Sequence, residues 1–146
     1  MVFCSEHIRR PSSRRFTQLM DLYEQNYILL RRLLGDAQNL PDESVSRSAD
    51  HLPLYCWVVE RSPFTTTVRL SYRFENHSRR HREYEPDLTL RIYHDARSGE
   101  AMSAIVNGKP RQMRHASNME WRWQLNRFLN RWLRYCLHQG HGFNPS

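Results

Sequence analysis

From Phe16 onward, apolar positions recur in alternating steps of four and three: Phe16, Met20, Tyr23, Tyr27, Leu30 and Leu34. That spacing predicts one buried face of a helix. Asp21 and Glu24 in the first half and Arg31 and Arg32 at the end suit the helix dipole. Gly35 then supplies permissive backbone for a stop. Residues 36–51 carry Pro41 among Asp, Asn and Ser without any apolar period, and read as a surface loop. Residues 54–59 (Leu-Tyr-Cys-Trp-Val-Val) are apolar on both faces and predict a short central strand. Beyond Arg61-Ser62-Pro63 the period drops to two. Phe64, Thr66, Val68, Leu70, Tyr72 and Phe74 are expected on the buried face, with Arg69 and Arg73 among the residues on the wet one.

The segment 76–86 is a polar excursion containing Arg79-Arg80-His81-Arg82. A third strand follows, with Leu88, Leu90 and Ile92 facing one way and Thr89, Arg91 and Tyr93 the other. Residues 95–99 have turn chemistry, and a weaker fourth strand runs over 100–106 to Asn107-Gly108. Ser117 and Glu120 fit a capping box. After it, Trp121, Leu125, Phe128, Leu129, Trp132 and Cys136 form the apolar face of a last helix, which Gly140 closes. No helical pattern separates the strands, so parallel βαβ units are excluded and an antiparallel meander is left. The expected fold is α+β: a four- to five-stranded antiparallel meander with the N-terminal and C-terminal helices packed on one face, in the order α-β-β-β-β-α. Residues 1–15 read as a basic flexible arm, 16–140 as a single domain and 141–146 as a tail.

The length of 146 residues suits one compact core. With 39% hydrophobic and 25% charged residues, the chain falls in the ordinary globular class. Its longest apolar stretch, 54–59, is far short of the ~20 residues that cross a bilayer, and residues 1–7 lack a signal pattern. Cys4, Cys56 and Cys136 are odd in number and widely spaced, which suits reduced thiols in a cytoplasmic protein without a membrane partner. The formal charge is +7. Lys109 is the single lysine, so the basic surface is almost wholly guanidinium, which recognises phosphate or carboxylate in pairs of hydrogen bonds. A GC-rich coding bias produces the same composition, so charge alone assigns no partner.

Three stretches carry a family resemblance. They are Leu22-Tyr23-Glu24-Gln25-Asn26-Tyr27 running into Leu30-Arg31-Arg32-Leu33-Leu34; Leu90-Arg91-Ile92-Tyr93-His94-Asp95-Ala96; and the run from Asn126 through Asn130 and Trp132 to Leu137. In order and spacing, over roughly residues 16–140, they resemble the YqiB-like proteins of proteobacteria, a family of unknown function. The resemblance implies a cytoplasmic bacterial protein with no established activity, cofactor or partner. Genes of the family often lie near those of nucleotide-hydrolysing enzymes, an association that assigns no role. Glu24, Asn26, Tyr27, Tyr93, His94 and Asp95 are motif positions without an assigned role. The basic arm, the 76–86 excursion and the Gly/His-rich tail depart from the family pattern.

Candidate chemistry is sparse. His94 beside Asp95 suggests a general base, yet strand neighbours point to opposite faces. Asp95 reads better as a turn residue and His94 as a core-edge one. His77 and His81, or His138 and His141, lack third and fourth ligands, so no metal site is expected. The scattered glycines form no phosphate-binding loop and there is no GxSxG elbow, so neither a cofactor nor a hydrolase is expected. What stands out is a stripe on the last helix: Arg127, Arg131, Arg134 and His138, with Trp123 one turn before. It could grip phosphates while stacking a base, or form a solvated face. The expectation is a non-enzymatic binding or regulatory protein that acts through surface contacts with a cytosolic protein. The alternatives are nucleic-acid or other polyanion binding through the arginine stripe, and a cryptic ligand or catalytic site around Tyr93, His94 and Asp95. Oligomeric state is left open.

Overall fold

The computed structural model describes residues 5–49, 51–73, 84–106, 109–112 and 119–143. Helix α1 (Ser5–Leu34) is followed by a 3-10 turn (Ala37–Asn39) and then by strands β1 (Glu43–Ser46), β2 (Leu54–Arg61), β3 (Thr65–Arg73), β4 (Tyr84–Tyr93), β5 (Ser98–Val106) and β6 (Lys109–Gln112). Helix α2 (Met119–His138) closes the order. The strands form one antiparallel meander in sequence order, β1-β2-β3-β4-β5-β6. The α+β architecture anticipated above is therefore present, with two short strands added at the sheet edges. Both added strands are four residues long and polar (ESVS and KPRQ). At the rim of a sheet an alternating apolar face is not required.

Period-two alternation fixes the inner face. Cys56 pairs with Leu70, Leu70 with Leu88 and Leu88 with Ala104, an apolar row crossing four strands. Val68, Leu90 and Ala101 form the next row. These residues are buried against Leu29, Leu30, Leu33 and Leu34 of α1 and Leu125, Leu129, Trp132, Leu133 and Cys136 of α2. Leu30, Leu33, Leu129 and Leu133 are almost completely enclosed. Each contributes ~1.5–3 kcal/mol by leaving water, which is what holds both helices to the sheet.

Three details differ from the sequence reading. Helix α1 opens at Ser5, so the segment expected as an arm is helical from there, while residues 1–4 lie outside the described residues. Its buried side is also broader, taking in Leu19, Leu22, Leu29 and Leu33, and Phe16 is exposed. Contacts with both α2 and β5 bury two adjacent stripes rather than one. Phe64, expected inward, is 63% exposed because it sits in the bend before β3 begins at Thr65. Phe74, Ser117 and most of the 76–86 excursion lie outside the described residues.

Two positions show how closely α1 seats. Gly35 takes φ +73°, and its N–H bonds to the Arg31 carbonyl at 2.9 Å, which ends the helix as expected. Gly99 on β5 faces α1 so closely that a Cβ there would lie 2.7 Å from Leu30 Cδ1. The chain after α2 also docks. Phe143 N–H bonds to the Leu33 carbonyl at 2.8 Å and Gly142 N–H to Ser46 Oγ at 3.0 Å, so residues 141–143 pin α2 to α1 and β1.

Candidate functional site

Tyr93, His94 and Asp95 do not converge. Tyr93 lies on the outer face of the sheet, where its hydroxyl donates to Glu100 Oε1 at 2.6 Å. Burial first, and then that carboxylate, raise its pKa. His94 turns to the inner side, its Nε2 2.8 Å from Thr66 Oγ1. The cavity it shares with Tyr27, Leu30, Arg31, Gly35, Ala37 and Ile92 has a volume of about 10 Å³, room for a single water. Asp95 is exposed in the turn. Three residues adjacent in sequence thus face three environments, with no shared space for a substrate among the described residues.

The cysteines of the core are equally unsuited to chemistry. Desolvation pushes the thiols of Cys56 and Cys136 up to about 12, so thiolate, the reactive form, is scarce at neutral pH. Tyr72 donates to Cys136 Sγ at 3.4 Å. His138 is exposed while His141 is buried, His77 and His81 lie outside the described residues, and no group of three metal-ligating side chains occurs among those described.

Of the motif positions on α1, Glu24 is exposed and Tyr27 half-buried, while Asn26 is completely enclosed. Asn26 belongs to an amide cluster that the sequence reading missed. Asn130 Nδ2 donates to Asn26 Oδ1 at 3.0 Å, and Asn26 Nδ2 donates to the Asn126 carbonyl at 3.5 Å. Asn126 accepts from the Ala101 N–H at 2.7 Å and donates to the Arg122 carbonyl at 2.9 Å. The Ala101 amide lies on β5 beyond the stretch that β6 covers, Ser103–Val106. Asn126 therefore occupies the open edge of the sheet. These asparagines register one helix against the other; they leave no amide pointing at a ligand.

The stripe on α2 is on the surface. Arg127, Arg131, Arg134 and His138 are exposed and Trp123 is half-buried. The Arg15 guanidinium lies 4.6 Å from the Trp123 ring centroid and that of Arg127 5.7 Å from it, so the ring already carries cations over its π surface. Arg134 Nε donates to Asn130 Oδ1 at 2.9 Å, which ties the stripe to the buried amides. Arg131 makes no ion pair among the described residues. It stands on the rim of a groove of about 330 Å³ between α2 and β5, lined by Ala104, Val106, Trp121, Gln124, Leu125 and Phe128. Trp121 and Phe128 are expected in the core face of α2 from their spacing. They are half-buried at its margin, and the signal was an apolar face wider than Leu125, Leu129, Leu133 and Cys136 alone require.

The outer face of the sheet fixes its arginines in place. Arg69 holds Asp87 through two 2.8 Å bonds and lies 4.6 Å over Trp57, and Arg91 Nε donates to Thr67 Oγ1 at 3.3 Å. Asp87 is only 6% exposed, so this pair is a built element of the sheet.

Against known proteins, a family described as "Protein of unknown function (DUF1249)" matches residues 29–142. The chain is also 33% identical to the "Uncharacterized protein YqiB" of Escherichia coli K12 over 132 residues, 86% of this chain and 90% of the relative. The proteins of that name from the O6:H1 and O157:H7 strains match to the same extent. The chain belongs to the YqiB-like DUF1249 family. No solved structure matches it. The strings that carry the family likeness fall on α1, on α2, and on the end of β4 with the turn after it, and each includes both buried and exposed residues. The DUF1249 match runs from inside α1 to the docked Gly142, so it spans the whole sheet and the groove beside α2. No helix among the described residues is long and apolar enough to cross a membrane.

Proposed function

We propose that this member of the DUF1249 family is a non-enzymatic, cytoplasmic protein-binding module whose contact surface is the outer side of α2. One observation carries the reading: an apolar groove of about 330 Å³ is bordered by Arg131 and runs beside the exposed arginines of the same helix. Apolar pockets rimmed by a few polar groups are where binding energy concentrates. The dispersal of Tyr93, His94 and Asp95, and the protonated core thiols, speak against a reaction at those places. The nucleic-acid alternative needs an aromatic face on which a base can stack. Trp123, the ring it would use, sits beneath the guanidiniums of Arg15 and Arg127.

The test is affinity purification from nuclease-treated native lysate with the unaltered chain and with R127E/R131E in parallel. Both residues are exposed and outside the amide cluster, so the variant is expected to fold. A protein recovered reproducibly with the unaltered chain and lost with the variant supports the reading. Identical recoveries, or recovery of nucleic acid alone from untreated lysate, sink it.

A further inference from the structure

The groove's chemistry narrows the partner, on the condition that α2 is a contact surface as argued above. We infer that it receives an acidic segment of a protein chain, with a bulky apolar side chain seated against Trp121, Leu125 and Phe128 and a carboxylate paired with Arg131.

The apolar half of the inference comes from the lining. Ala104 and Val106 of β5 form one wall, and Trp121, Leu125 and Phe128 of α2 the other. These three recur at steps of four and three, so they form one stripe along the helix. A phosphodiester laid into this groove would set charge against apolar walls with one guanidinium to compensate, which is unfavourable. A leucine or phenylalanine side chain loses nothing there and gains by leaving water.

The acidic half comes from charge. Along its outer side α2 carries the exposed Arg127, Arg131 and Arg134, and the helix has a single carboxylate, Glu120. Glu120 is already 3.4 Å from Arg15. These three arginines thus form a positive strip next to the groove, with no ion pair among the described residues. Arg131 stands where strip and groove meet, and its planar fork matches a carboxylate in two parallel hydrogen bonds. Arg127 and Arg134, on adjoining turns, extend the field without being needed inside the groove. An amphipathic partner with apolar anchors at i and i+4 and acids on the flanking positions meets both demands at once.

The experiment is fluorescence anisotropy on the full chain with a labelled glutamate-rich peptide carrying leucines at i and i+4. The controls are the same peptide with alanine at those positions and a labelled single-stranded oligonucleotide. Saturable binding of the leucine peptide is expected, weakened at least tenfold by alanine replacement and about tenfold by R131E, and reduced by added salt. Phe128→Ser, checked by circular dichroism for retained structure, is expected to bring the leucine peptide down to the alanine peptide's affinity. Equal binding of the two peptides overturns the inference, as does tighter binding of the oligonucleotide or no peptide binding at all. A lysate partner still lost with R127E/R131E alongside a failed peptide test would leave the binding-module reading standing and remove this one alone.

Discussion

Asn130 donates a 3.0 Å hydrogen bond from its side-chain amide to Asn26, joining α2 to α1 in a space closed to solvent. Asn126 extends the link to the β5 backbone, and Arg134 caps it from outside. Truncating one member leaves its partner's buried donor or acceptor without a bond, at a cost of ~1–3 kcal/mol. Asn26→Ala is therefore expected to lower the free energy of urea unfolding by at least that much, with the lost volume adding to it. Asn26→Ala combined with Asn130→Ala should cost clearly less than the sum of the two single changes, because the second removes a group the first has already orphaned. Strict additivity would show that the two amides act independently.

Gly99 makes a sharper steric prediction. A methyl group there would approach Leu30 Cδ1 to 2.7 Å, while the backbone amide of Tyr27 stays at an ordinary 3.5 Å. The obstacle is the end of a side chain, but one wedged in the core. Gly99→Ala is expected to cost ~1–3 kcal/mol, the usual range for overpacking, and Gly99→Val more. In the Leu30→Ala background the penalty of Gly99→Ala should shrink, since the clashing methyl is gone. Thermal unfolding of the four proteins of that cycle gives the answer directly.

The core thiols should be inert in the folded chain. With Cys56 and Cys136 buried and held protonated to about pH 12, alkylation by iodoacetamide at pH 7.5 is expected to follow unfolding rather than thiol chemistry. In a Cys4→Ser background the rate should rise with urea in parallel with the loss of structure. Fast labelling of Cys136 in the native protein, located by peptide mapping, would mean that α2 opens locally, because its thiol is turned in against Tyr72 of β3.

Both helices and the four inner strands could be read from the chain, because each buries one face and burial writes a period of 3.6 or 2 into the residues. Val68, Leu70 and Tyr72 show it on β3, as do Leu125, Leu129 and Cys136 on α2. The edge strands were missed for the complementary reason: Glu43–Ser46 and Lys109–Gln112 pair on one side only and need no apolar face. Asn26, Asn126 and Asn130 were illegible as a cluster because an amide inside a helix looks like a solvent position until the facing helix is known. Of the candidate site, the arginine stripe was visible as spacing. The groove beside it depends on where β5 passes α2, a contact between segments about twenty residues apart that no local pattern encodes.

The docked C-terminal residues give the fold a sign-determined response to acid. His141 is 4% exposed, with Nδ1 3.0 Å from Ser46 Oγ. Its pKa is lowered, chiefly by burial and then by the nearby His51. A histidine whose folded pKa lies below its unfolded value of ~6.5 binds its proton more readily in the unfolded chain. Its contribution is complete above pH ~6.5 and is lost as the pH falls from there through the folded pKa, with a slope of at most ~1.4 kcal/mol per pH unit for one proton. The bonds that the adjoining amides donate, Gly142 N–H to the Ser46 hydroxyl and Phe143 N–H to the Leu33 carbonyl, should loosen along with it, since they flank the ring. His141→Gln is expected to flatten the stability profile between pH 7 and 5 while lowering the plateau above it. Hydrogen exchange at Gly142 and Phe143 should speed up on acidification in the unaltered chain more than in the variant. An unchanged slope in His141→Gln would place the acid response on other groups and leave the tail held by the Gly142 and Phe143 amides alone.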